Sequence, residues 1–140
     1  MYQMILSDLD ETLLVNHHVP KFNQEAIRQL KDVKFVPATG RSFSMIEDIL
    51  EEIGTAKQAH EYSICFNGGL IVENQNAQIL SFQGLTFDQA KQLFDLGEKY
   101  DVCIMIFTLN HCYLFKPDPT EIARKKAQKA AFTVIDDYHM

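Results

Sequence analysis

The sequence predicts an α/β fold in two parts, a parallel-sheet core followed by a smaller α+β unit. Three observations predict it. In the first 80 residues short apolar runs alternate with helix-patterned segments, the strand–helix–strand order of a parallel sheet with crossover helices. Three of those strands end in polar segments: Asp8-Leu9-Asp10-Glu11-Thr12, Thr39-Gly40-Arg41 and Asn67-Gly68-Gly69. After Gly84 the pattern changes to helix, hairpin, helix and a last strand. With 140 residues, 46% of them apolar, the chain is able to bury a core.

Residues 2–6 read as a buried strand that ends at the first acids. Asn23 is the expected cap of a helix with Ala26, Ile27 and Leu30 on one face. Residues 34–37 form the second strand. Ser44 and Glu47 have the spacing of a capping box, followed by an apolar stripe of Ile46, Ile49, Leu50 and Ile53 and a stop at Gly54. Residues 62–66 form the third strand, and residues 70–72 and 78–80 a hairpin. A boundary falls near residues 81–85, giving domains 1–82 and 83–140. Thr86 and Gln89 form a second capping box, opening a helix to about residue 100 with Phe87, Ala90, Leu93 and Phe94 inward. Residues 102–107 and 112–115 make a second hairpin around Leu109-Asn110. Asp118-Pro119-Thr120-Glu121 starts a helix running to about residue 131, by its cap, first-turn proline and following acid. Residues 132–135 begin a strand.

The net charge of -6 disfavours nucleic acid and anionic membranes as partners. No apolar run has the length of a membrane span, and the N-terminus lacks the pattern of a secretory signal, so the expected location is cytoplasmic. Cys65, Cys103 and Cys112 are odd in number and lack CxxC spacing, which points to free, mostly buried thiols. Across the second hairpin Cys112 faces Phe107, well away from Cys103. His17-His18 reads as a solvated pair, and His60, His111 and His139 stand singly. Arg124, Lys125, Lys126 and Lys129 read as a solvated basic face, and Phe87, Phe94 and Phe107 as core.

Ligands of open parallel sheets bind beyond the carboxyl ends of the strands. Acids at i and i+2 of a strand point to opposite faces. Where the backbone turns at the strand end, Asp8 and Asp10 both reach one pocket. The convergence of three such strand ends is what marks the site.

These residues resemble a known family. Asp8-Leu9-Asp10-Glu11-Thr12-Leu13-Leu14 resembles the first motif, DxDx[TV], of haloacid dehalogenase-type (HAD) phosphatases. Ala38-Thr39-Gly40-Arg41 resembles the second motif in the form found in Cof-type sugar-phosphate phosphatases. Phe66-Asn67-Gly68-Gly69 resembles the segment after the third strand there. The implied fold is a partial Rossmann-like core followed by a partial α/β cap. The implied activity is hydrolysis of a small phosphorylated metabolite through an aspartyl phosphate. Asp8 would be the nucleophile and Asp10 the acid–base. The Asp8 carboxylate and the Asp10 carbonyl would hold Mg²⁺. Thr39 and the N–H groups near Leu9, Asp10 and Gly40 would bind the phosphoryl oxygens. Thr12, Arg41, Asn67 and Gly68 would line the pocket.

The sequence also departs from that family. Full members are roughly twice this length and carry a charge-neutralising lysine and a GDxxND-like segment after the cap. Neither is found here, and Glu11 stands where a glycine is common. A truncated reading follows as the alternative, with impaired turnover and a chain that binds phosphate or self-associates. The missing half would leave the first strand with an open edge. Pairing of two chains there, as a homodimer, or folding back of residues 132–135 would close it. A receiver-like phosphoacceptor fits less well, since it has no place for the second unit.

Overall fold

Leu9, Ile46, Ile49, Leu50 and Ile53 are each at most 2% exposed, and the first half of the chain is arranged around them. The computed structural model describes residues 3–138; Tyr2 and His139 lie outside them. The fold is α/β, and it divides into two compact units, Met1–Gln83 and Gly84–Met140.

The first unit runs β1 (Met4–Ser7), α1 (Lys21–Arg28), β2 (Lys34–Pro37), a 3₁₀ turn (Phe43–Met45), α2 (Glu47–Ile53), β3 (Tyr62–Cys65), β4 (Leu70–Glu73) and β5 (Gln78–Phe82). β1 and β2 are parallel, with Met4 opposite Lys34 and Ser7 opposite Pro37. The expected third parallel strand joins them through a single bridge, Ala38 to Ile64, and otherwise pairs antiparallel with β4, which pairs with β5. The backbone alternation explains this. Ala38 N–H donates to Ser7 on the β1 side and Thr39 N–H to Ile64 on the β3 side. Pro37 shares the parity of Thr39, so the position that would donate toward β3 has no N–H.

Four local expectations change in this unit. β1 is not buried: Met4, Ile5 and Leu6 are 50%, 40% and 58% exposed, and among the described residues the strand pairs on one edge only, with β2. α1 starts after Pro20, with no side-chain cap, and Asn23 lies inside it. The proline presets φ for the entry, and Gln24 N–H bonds to its carbonyl. Ala26 is exposed, whereas Ile27 and Leu30 pack on the core. The Ser44–Glu47 box does not form; Ser44 Oγ lies 3.1 Å from Ser42 Oγ, and α2 begins after Ile46. Burying Ile46 fully keeps it at φ -123°, outside the helix.

Gly54 ends α2 as expected, at φ 82°. A Cβ there would meet Arg28 Nε at 3.3 Å in a conformation that L side chains resist. Gly54→Ala should therefore cost about 1–2 kcal/mol in urea denaturation. An unchanged midpoint would show that the cap relaxes freely.

The second unit runs α3 (Phe87–Gly97), β6 (Ile104–Phe107), β7 (Cys112–Phe115), α4 (Pro119–Ala127) and β8 (Phe132–Ile135). Both caps form: Thr86 accepts from Gln89 N–H while Gln89 returns the bond, and Asp118 accepts from Glu121 N–H. Cys112 faces Phe107, and Thr108 N–H bonds to His111 around the Leu109-Asn110 turn. β8 pairs parallel with β7, so residues 132–135 do not fold back onto β1. β7 supplies the ladder they take.

Side chains of β6 and β7 pack to both sides. Phe94 of α3 meets Phe115 edge-on at 4.8 Å, and Lys125 of α4 lies 4.8 Å over Phe107. Lys125 is 3% exposed, so the basic run is not one solvated face, and burial pushes its pKa down. Phe87, Leu93 and Phe107 are 52%, 56% and 39% exposed, so of the four inward residues expected on α3 only Phe94 is fully buried. The three cysteines are free, and burial raises the Cys65 pKa to about 12. No helix among the described residues is long and apolar enough to cross a membrane.

Candidate active site

The acids after β1 are placed by the residue between them. Leu9 is fully buried, and its carbonyl accepts N–H bonds from Leu13 at 3.0 Å and Leu14 at 2.9 Å. Driving Leu9 into the core turns the chain at the strand end and leaves Asp8 and Asp10 exposed on either side of it. Glu11 takes φ 58° in this turn. Thr12 Oγ1 lies 3.5 Å from Asp8 Oδ2, a contact at the limit of a hydrogen bond.

The three strand ends meet through the backbone. Ala38 N–H binds Ser7 O at 2.8 Å, Thr39 N–H binds Ile64 O at 2.9 Å, and Asn67 N–H binds Thr39 O at 3.0 Å. Phe66 N–H donates to Arg41 O at 3.1 Å. Phe66, Asn67 and Gly68 have φ of 51°, 55° and 96° in succession, a strained run of the kind that gathers at functional sites. Gly40 is where this run passes closest: a Cβ there would sit 3.0 Å from Asn67 Oδ1. Asn67 and Gly68 are exposed at that edge.

Thr39 is 5% exposed, and its Oγ1 accepts from Arg41 N–H at 3.2 Å, which leaves the hydroxyl proton to donate elsewhere. The N–H groups of Leu9, Asp10 and Gly40 donate to no acceptor among the described residues. Arg41 is 7% exposed, and its guanidinium forks onto both oxygens of Asp10, with Nε to Oδ2 at 2.9 Å and Nη2 to Oδ1. This pair was not legible in the sequence, which placed Arg41 on the pocket wall; an acid and an arginine 31 positions apart carry no local signal. It turns Arg41 toward Asp10 and fixes the Asp10 carboxylate bidentately.

The donors present fit part of a hard-cation site. The Asp8 carboxylate has no cation partner among the described residues, and the Asp10 carbonyl accepts no hydrogen bond among them. Both are oxygens of the kind Mg²⁺ prefers. No group of three or more His, Cys, Asp or Glu side chains among the described residues gathers as a complete metal site. His17 and His18 are exposed, as expected of a solvated pair, and His18 Nδ1 also lies 2.7 Å from Glu52 Oε1.

Comparison with known proteins identifies the family of the fold. The haloacid dehalogenase-like hydrolase family matches residues 5–139. "Putative phosphatase YxeH" of Bacillus subtilis (strain 168) is 28% identical over 99% of this chain and 48% of its own length. A haloacid dehalogenase-like hydrolase from Bacteroides thetaiotaomicron superposes with a TM-score of 0.80 at 20% identity, over 99% of this chain and 53% of that one. A second, from B. subtilis, has a TM-score of 0.80 at 21% identity, over 97% and 55%. The chain thus spans about half the length of the relatives it matches. With the family match running from β1 through β8, the chain belongs to the haloacid dehalogenase-like hydrolases.

Proposed function

We propose that this chain carries the nucleophile and phosphate cradle of a Cof-type phosphate-monoester hydrolase acting on a small phosphorylated metabolite. The reading rests on the adjacent ends of β1 and β2, which carry an Asp8 carboxylate with no cation partner, a Thr39 hydroxyl with its proton free to donate, and the N–H groups of Leu9, Asp10 and Gly40, which have no acceptor among the described residues. A solved structural neighbour is described as a HAD subclass IIB sugar phosphatase, which supports the substrate class.

In this reading Asp8 attacks phosphorus, the bond to the leaving oxygen breaks, and an aspartyl phosphate forms. Asp10, with one oxygen released from Arg41 and protonated from solvent as substrate binds, gives that proton to the leaving alcohol. Asp10 then takes a proton from the water that attacks phosphorus, which releases phosphate and restores the Asp8 carboxylate. Thr39 and the N–H groups of Leu9, Asp10 and Gly40 bind the phosphoryl oxygens as charge develops on them. Thr12, Arg41, Asn67 and Gly68 shape the approach. Mg²⁺, held by the Asp8 carboxylate and Asp10 carbonyl, would supply neutralisation of the phosphoryl charge. Three free thiols fit a reducing compartment, so we place the chain in the cytoplasm.

Calorimetry with Mg²⁺ and inorganic phosphate tests the site. Weak Mg²⁺ binding, with a dissociation constant on the order of millimolar, is expected for a donor set short of one acidic ligand, and it should vanish in Asp8→Asn. Equal binding by both proteins would remove Asp8 from the site.

A further inference from the structure

We propose that a cleft in the first unit, at the end of the β1–β2 pair opposite Asp8, binds a small aliphatic monocarboxylate. The cleft has a volume of about 290 Å³ and lies where α1 and α2 end and β2 begins. In the parallel pair Met4 is level with Lys34 and Ser7 with Pro37, so Val33 before β2 and Asp8 after β1 stand at opposite ends. Thr55 lines the cleft and is 7% exposed, and its Oγ1 is buried with no hydrogen-bond partner among the described residues. The backbone around that hydroxyl is satisfied. Thr55 N–H donates to Leu50 O at 2.9 Å, and Thr55 O accepts from Asn74 Nδ2 at 3.2 Å. A buried hydroxyl without a partner is costly unless a group in the cleft takes up the bond.

The neighbouring groups set the chemistry of the occupant. Arg28, in the last turn of α1, donates from Nη2 to Glu52 O at 2.6 Å and enters no ion pair among the described residues. That bond takes up a carbonyl at the end of α2 and leaves the other guanidinium donors uncommitted. The one acid lining the cleft, Glu61, is paired with Lys34 at 2.9 Å. The uncompensated charge is therefore a single positive one, which suits a monoanion better than a doubly charged phosphate ester. A carboxylate accepts from a guanidinium and keeps lone pairs for the Thr55 hydroxyl and the Gln58 amide, which also lines the cleft. Ile27, Leu30 and Phe35 supply an apolar wall for a short hydrocarbon tail. The volume is at the lower end for ligand sites, which limits the occupant to a few carbon atoms.

Butanoate is the probe, titrated into the intact 140-residue chain and followed by amide NMR shifts. Saturable shifts centred on residues 54–59 are expected, with a dissociation constant on the order of millimolar. Butanamide, of similar shape without the charge, should bind at least about tenfold more weakly. Arg28→Gln should weaken butanoate binding by about the same factor. Thr55→Val should also weaken it about tenfold. In the ligand-free chain Thr55→Val should leave the urea midpoint unchanged or raise it, since it removes a hydroxyl that has no partner. A lowered midpoint with butanoate binding unaltered would show that the hydroxyl serves the fold alone, and overturns the inference. No saturable shifts at residues 54–59 overturn it as well. Saturation centred on residues 8–10 and 39–41 instead puts the carboxylate at the proposed phosphate site and also overturns it. None of these readouts uses phosphate, metal or turnover, so the outcome is independent of the proposed activity.

Discussion

Rigorously purified chain should hydrolyse a generic aryl phosphate about a thousandfold or more slowly than a full-length relative. In the proposed function, Asp8 would supply the nucleophile, and Thr39 with the N–H groups that have no acceptor among the described residues would supply part of the oxyanion stabilisation. The family resemblance implies a lysine and a further acidic metal ligand that this sequence lacks. Each would act on charge that develops in the transition state, and together they are worth about 4 kcal/mol. At roughly 1.4 kcal/mol per factor of ten, that is about three orders of magnitude. Steady-state kinetics on the chain, on Asp8→Asn and on a full-length relative decide the matter. Turnover matching the relative, and lost in Asp8→Asn, would show that this half is catalytically sufficient. Phosphate binding with no turnover at all would favour the reading of a binding remnant.

Leu50→Ala is expected to cost about 3 kcal/mol, within the range for emptying a buried leucine site. Leu50 is 1% exposed and packed among Ile46, Ile49 and Ile53. Its carbonyl also accepts N–H bonds from Thr55 and Ala56, which tie the end of α2 to the segment leading to β3. The surrounding side chains are therefore poorly placed to collapse into the cavity. Phe22→Ala is the control: Phe22 is 79% exposed, and its loss should cost less than about 0.5 kcal/mol. Equal urea midpoints for the two variants would remove α2 from the core.

Sequence by itself determined the order and type of most elements, the three polar strand ends, the Thr86 and Asp118 caps, the Gly54 stop and the Phe107–Cys112 register. Each is set by residues close together in the chain: a cap and its acceptor three apart, a glycine one past an apolar stripe, a two-residue turn between two runs. The same locality explains the residues proposed for phosphate binding, since each motif sits where a strand ends.

Tertiary structure alone decided the rest. The Ser44–Glu47 spacing satisfied a local rule but lost to the burial of Ile46. Lys125 reads as surface in a basic run, yet the face of α4 that packs on the sheet draws it over Phe107. Arg41 pairs with Asp10 because hydrogen bonds between strand ends bring the turns after β1 and β2 together. β1 has the composition of a buried strand, but composition records what a strand is able to bury, whereas actual burial depends on which other segments lie beside it. Here one neighbour is present, and the apolar side chains of Met4, Ile5 and Leu6 remain in contact with water.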